Sequence, residues 1–243
     1  EVGAEVSRVL ALREMHGTLA AINATGSEAI YASVSVTDVE RLSGVLEAAR
    51  NQWGPVKGII HGAGVIADKL IVDKSEEDFG RVFNTKVLGL KALLDATESD
   101  PLSLLCFFSS VAARTGNRGQ CDYAMANEIL NKIAQVESRR RPSCRVCSLG
   151  WGPWEGGMVS PQLKARFEAM GVPLIPLAVG AQMLVDEIHS MQHDHVELVL
   201  GGPPREGALL QSGDENPSIQ LELMVNRESH PYLRSHAIEG TPV

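Results

Sequence analysis

Apolar strand-like runs alternate with amphipathic helical stretches along this chain, and that alternation limits the possible folds more than any other feature. Glu5 to Asn23 has helical spacing, Ala29 to Ser35 reads as a strand, and Val39 to Gln52 as a helix opened by a capping box of Thr37 with Glu40. Val56 to His61 is the next strand. Ser75 with Asp78 starts a long helix to about Thr97, followed by the nearly continuous apolar strand Leu102 to Ser109. Asp122 to Ser138 is predicted as helix and Cys144 to Leu149 as strand. Ser160 with Pro161 caps a short helix, and Leu177 to Ser190 (helix) and Val196 to Leu200 (strand) complete the series. Strands separated by helices form a parallel sheet covered on both faces, so the expected fold is a doubly wound α/β domain.

Composition narrows the function classes. A formal charge of −8 over 243 residues, spread without basic blocks, argues against nucleic acid as a partner. Apolar runs such as Leu102 to Phe108 are interrupted long before the roughly 20 residues that a membrane span needs. Four cysteines stand at 106, 121, 144 and 147, and the one close pair, Cys144 and Cys147, has no second pair to complete a zinc site, so no metal is expected. Few cysteines and no leader-like opening make a reducing cytoplasm the expected location.

In sheets of this kind ligands sit beyond the carboxyl ends of the strands. Ser110 ends the strand Leu104 to Ser110, Tyr123 follows 13 residues later at the start of a helix, and Asn127 lies one turn further on the same face. Lys86 belongs to the preceding long helix. A tyrosine hydroxyl can hand a proton to a carbonyl oxygen, but with a free pKa of about 10 it needs help near neutrality. A lysine ammonium within hydrogen-bonding distance would favour the phenolate and supply that help. Ser110 would hydrogen-bond a substrate carbonyl, and Asn127 would hold a water or orient the lysine.

On these residues the chain resembles the short-chain dehydrogenases, and among them the ketoreductase domains of type I polyketide and polyunsaturated fatty acid synthases. The stretch from Phe107 to Asn127 is similar to that family's serine, tyrosine and asparagine signature. Ordinary short-chain dehydrogenases carry lysine four residues after the tyrosine. Synthase ketoreductases exchange the two positions, with asparagine there and lysine 24 residues before the serine, the separation that Lys86 and Ser110 keep. His61, Gly62, Ala63 and Gly64 resemble the family's cofactor-side Asn-Asn-Ala-Gly stretch, and Gly152, Pro153 and Trp154 its loop beside the nicotinamide, which runs on to the lid at Met158. Ser35 and Val36 stand where the family has an aspartate and valine near the adenine; serine there loses one acceptor. Ile66-Ala-Asp68 keeps only the last residue of the Leu-Asp-Asp motif of ketoreductases that make the D-hydroxy product. The tryptophan of the opposite stereochemical class is Thr115 here. Asp68 and Met158 are therefore the expected stereocontrol positions.

The resemblance implies a Rossmann-like fold and NADPH-dependent reduction of a β-ketoacyl thioester on an acyl carrier protein, within a synthase that is itself homodimeric. The family's first strand and glycine-rich phosphate loop have no counterpart in these 243 residues, so the chain is expected to be N-terminally truncated and to bind cofactor poorly by itself. Residues 1–200 read as the ketoreductase catalytic domain and 201–217, rich in glycine and proline, as a linker. Residues 218–243, with a strand-like run at Ile219 to Val225, read as the start of a neighbouring dehydratase (hot-dog) domain, in which His236 and Gly240 resemble the dehydratase histidine motif. Two rivals stay open: a stand-alone dehydrogenase acting on a free ketone or alcohol, against which Lys86 weighs, and a non-catalytic structural ketoreductase segment, which would lack the four polar residues.

Overall fold

The computed structural model describes residues 2–157, 159, 161–169, 171–190, 195–201, 237–238 and 241–242. Its centre is a sheet of four parallel strands in the order β1 (Gly58–His61), β2 (Leu104–Ser110), β3 (Arg145–Trp151) and β4 (Glu197–Leu200). Parallel neighbours need long crossovers, and helices supply each of them. Between β1 and β2 lie α3 (Glu76–Phe83), a π-helical turn (Asn84–Leu88) and α4 (Gly89–Ala96). Between β2 and β3 come α5 (Ala112–Thr115) and α6 (Cys121–Arg140), and between β3 and β4 come α7 (Pro161–Ala169) and α8 (Leu177–His189). Two helices precede the sheet, α1 (Val2–Ala24) and α2 (Val39–Trp53). This is the doubly wound α/β architecture expected from the alternation.

Side chains of a strand alternate between faces, and β2 shows the consequence. Leu105 and Phe107 pack on one side with Ile59, Leu90, Leu130, Ala134 and Val146, while Cys106 packs on the other with Cys147, Leu149, Trp151 and Ile175. Both faces are therefore covered, the first by α4 and α6 and the second by Met183 and Leu184 of α8. Arg50 joins α2 to this body: its guanidinium bonds both Asp100 carboxylate oxygens and the Ala96 carbonyl at the end of α4.

Several local expectations are corrected. Residues 29–35 form no strand, because a strand persists only through a ladder partner and none lies beside them among the described residues. Ile30 and Tyr31 are exposed. The cap of α2 is Asp38, whose carboxylate accepts from the Arg41 amide, rather than Thr37 with Glu40; Thr37 Oγ1 instead pairs with Ser35 Oγ at 2.8 Å. The capping box of Ser75 with Asp78 is present, but the helix it opens is interrupted by the π-helical turn. The short α5 has no counterpart in the periodicity, since four residues are too few to show one.

The chain divides into two units, Glu1–Pro203 and Pro204–Val243. Within the second, Ala237–Ile238 pairs antiparallel with Thr241–Pro242. The expected cap at Ser160, the run from Ile219 to Val225, and the positions Met158, His236 and Gly240 lie outside the described residues. No helix among the described residues is long and apolar enough to cross a membrane.

Candidate active site

β2 and β3 end side by side, with Ser110 opposite Trp151. A cleft of about 560 Å³ opens beyond these ends. Ser110, Gln120 and Tyr123 line it on one side, and Trp151, Pro153, Trp154, Leu163 and Phe167 supply apolar walls. Tyr123 is the third residue of α6, so the first turn of that helix delivers the phenol to the cleft, and Asn127 follows one turn behind. Asn127 is fully buried; its Nδ2 donates to the Tyr123 carbonyl at 2.8 Å, and its Oδ1 has no hydrogen-bond partner. An orphaned buried acceptor is uncommon and marks a place that a water or ligand group would satisfy. Burial raises the Tyr123 hydroxyl above the usual phenol range; the side chains of Ser110 and Asn127 oppose the rise, and the Asp68 charge adds to it.

Lys86 enters from the π-helical turn. Such turns carry one residue more than an α-helix would, and they recur where a side chain must be re-aimed. The Lys86 side chain is buried, and its Nζ donates to the Phe108 carbonyl at 2.9 Å and lies 5.6 Å from the centroid of the Tyr123 ring. The expectation of an ammonium hydrogen-bonded to the phenol is corrected accordingly: Nζ bonds the strand carbonyl and meets the tyrosine through the face of its ring. Burial pushes the Lys86 ammonium down to about 8.

Two glycines make room for this arrangement. A Cβ on Gly64 would sit 3.1 Å from Lys86 Cε, and one on Gly89 would meet Val36 Cγ2 at 2.5 Å. Val36, His61, Gly64 and Lys86 thus share one corner. His61 Nε2 is 2.9 Å from the Lys86 carbonyl; a carbonyl only accepts, so this nitrogen carries the hydrogen. Burial pushes His61 down to about 4 and keeps it neutral at neutral pH; the hydrogen bond to the Lys86 carbonyl opposes this and the Lys86 charge adds to it.

Among the other expected residues, Gly62 flanks Phe108 and Ala63 is half-buried, whereas Ser35 is exposed and bonds only locally to Thr37. The Gly152 amide donates to the Leu200 carbonyl, and the Pro153 carbonyl accepts from Ile175, so the loop is stitched to its neighbours. Trp154 stands edge-on to Trp151 at 4.8 Å and covers Gly180, where a Cβ would approach its ring to 2.4 Å. Asp68 is exposed and accepts from Gln120 Nε2 at 2.8 Å. Ser110, Tyr123, Pro153 and Trp154 meet at the cleft, Lys86 and Asn127 stand directly behind it, and Ser35 stays apart. Sequence reasoning missed Gln120 and the buried pair Lys74 and Asp122. An acid in the first turn of a helix and a lysine before a capping serine are too common to signal anything alone.

Comparison with known proteins identifies the family. Residues 4–156 match the family model described as the KR domain. The chain is 39% identical over 246 residues to a polyunsaturated fatty acid synthase subunit from Thraustochytrium sp., covering 98% of this chain and 8% of that protein. It is 37% identical over 146 residues to the polyketide synthase PksL of Bacillus subtilis, covering 58% of this chain and 3% of that one. Among solved structures, a ketoreductase domain from the bacillaene assembly line superposes with a TM-score of 0.68 at 30% identity, over 76% of this chain and 46% of that one. An N-terminal ketoreductase from the macrolactin assembly line gives 0.66 at 26%, over 77% and 36%. The chain therefore spans less than half the length of each of these relatives. It belongs to the KR domain family, the nicotinamide-dependent ketoreductases of polyketide and polyunsaturated fatty acid synthases.

Proposed function

We propose that this chain carries the catalytic end of a β-ketoacyl reductase that uses NADPH to convert a β-ketoacyl thioester on an acyl carrier protein into the β-hydroxyacyl thioester. The observation that carries the reading is the meeting of Ser110 and Tyr123 at one cleft, with Asn127 one helical turn behind the tyrosine and a buried ammonium 5.6 Å from the tyrosine ring. Ser110 donates a hydrogen bond to the substrate carbonyl. Tyr123, held protonated at neutral pH by its burial, delivers a proton to the carbonyl oxygen as that oxygen gains charge. Lys86, still largely protonated at neutral pH, stabilises the phenolate left behind. Asn127 Oδ1, buried and unpartnered, holds the water through which the tyrosine regains its proton.

The residues present fit the nicotinamide end of the cofactor. Gly64 leaves no side chain between the backbone and Lys86, and the orphaned Asn127 acceptor lies beside Tyr123. Val36, His61, Gly62, Ala63 and Gly64 on one side, and Gly152, Pro153 and Trp154 on the other, would hold it, with Ser35 at the adenine end. Bound NADPH supplies the hydride. Asp68, together with Met158, would govern the face of the ketone that is reduced. Residues 1–200 form the reductase part, 201–217 a linker and 218–243 the opening of a dehydratase with His236 as its base; the break between units at Pro203 and Pro204 supports the linker position. The synthase would work as a cytoplasmic homodimer.

In the full-length natural protein, acetoacetyl thioester should be reduced with NADPH, and Tyr123→Phe should lower turnover by at least about a hundredfold. Wild-type turnover in that variant would refute the assignment.

A further inference from the structure

The connection from β1 to α3 forms part of the cleft wall, yet it has no apolar anchor at its centre. Ile66 lines the cleft, but Leu70, Ile71 and Val72 are exposed, the last two at 76% and 84%. Polar contacts must therefore hold this loop. Three are at the surface: Gln120 Nε2 donates to Asp68 at 2.8 Å, the Lys69 amide donates to the Gly119 carbonyl at 3.0 Å, and Lys69 Nζ pairs with Asp78 of α3 at 2.7 Å. Water competes for all three, so they hold the loop weakly.

One contact is buried. Lys74 turns inward, and its Nζ donates to the Ala67 carbonyl and to Asp122 Oδ2, each at 2.7 Å. The two charged side chains are only 3% and 2% exposed. Asp122 lies in the first turn of α6, where the helix dipole favours a carboxylate, directly before Tyr123. A single ammonium thus ties the end of the loop to its beginning and ties both to the helix that carries the phenol. A buried ion pair is costly to desolvate and seldom more stabilising than an apolar pair of the same shape, which leaves the geometry it enforces as the reason for having it.

We propose that Lys74, through Asp122, is a positioning residue: the bridge sets the gap between the wall carrying Ile66 and Asp68 and the hydroxyl of Tyr123, and so sets which face of the ketone meets that hydroxyl. The inference rests on the reductase reading above. It requires no contact of Lys74 with substrate or cofactor.

The test uses the full-length natural protein with Lys74→Met, Lys74→Arg and the paired replacement Lys74→Met with Asp122→Leu, which removes the charges but keeps an apolar filling. Product enantiomer ratio, kcat and KM are measured beside amide hydrogen exchange of residues 62–73 and of β2 and β3. In Lys74→Met the enantiomer ratio should fall about tenfold and exchange in 62–73 should quicken about tenfold, with β2 and β3 unchanged. Lys74→Arg, which keeps the charge, should recover most of the ratio. The paired variant should fold as wild type does and still lose the ratio, so it decides the matter if Lys74→Met fails to fold. A wild-type ratio in the paired variant overturns the proposal. So does faster exchange in β2 and β3 alongside the loop, which marks a general structural role. If the wild-type protein reduces no ketoacyl thioester, the reductase reading fails, and exchange in 62–73 alone then decides whether Lys74 clamps the loop.

Discussion

The two longest helices are built from sequence of similar apolar content and meet opposite fates. α6 lies against β2 and β3 and buries Ala126, Leu130 and Ala134 at four-residue spacing, with Asn127 and Asn131 on the same side. α1 is longer, yet Val6, Val9, Leu10 and Leu12 are all exposed. The apolar residues of α1 are scattered around its circumference, whereas most of those of α6, apart from the exposed Met125 and Val136, form one stripe, and a stripe is what a sheet can bury. α6 is consequently the helix whose packing can position the site.

That contrast has measurable consequences. Leu130→Ala should lower the stability of the α6 and β2 region by about 2–5 kcal/mol, read from hydrogen exchange of the β2 amides, because a fully buried side chain leaves a cavity. A loss below about 1 kcal/mol would mean that α6 is not the packed helix described. His61, beneath the Lys86 carbonyl, offers a pH test of the same buried region. Its folded pKa of about 4 lies below the unfolded value of about 6.5, so the unfolded chain binds the proton more readily. The stability tied to this depressed pKa is therefore intact above about pH 6.5 and lost as pH falls to about 4, amounting to roughly 3 kcal/mol at most. His61→Gln should remove that part of the acid sensitivity; an unchanged acid profile would show that His61 titrates normally. The smallest effect belongs to α1. Leu10→Ala should change stability by no more than about 0.5 kcal/mol, and a larger loss would show that the helix packs against something.

Much of the architecture was legible because parallel strands buried on both faces read as apolar runs, as Leu104 to Phe108 does, and because amphipathic helices separate them. The strand expected at 29–35 was not, since a strand depends on its neighbour and no property of residues 29–35 themselves reveals whether one is there. The spacing of Ser110, Tyr123 and Asn127 could be read directly, being local to one strand end and one helix. The bond that Lys86 makes could not: that Nζ reaches the Phe108 carbonyl depends on the turn that carries the residue. Lys74 and Asp122, 48 positions apart, carry no signal until the fold brings them together.

The wide turn at Asn84–Leu88 has a consequence for how this segment tolerates change in length. It holds one surplus backbone unit, so removal of a single amino acid there would close into a regular spiral without breaking the rod. The cost would fall elsewhere, on the angular phase: the part of the rod before the deletion would swing by roughly 100° relative to the part after it. Either Lys86 would leave its place above the aromatic ring or α4 would lose its seat on the sheet, so the segment would survive shortening as a shape while losing what it aims.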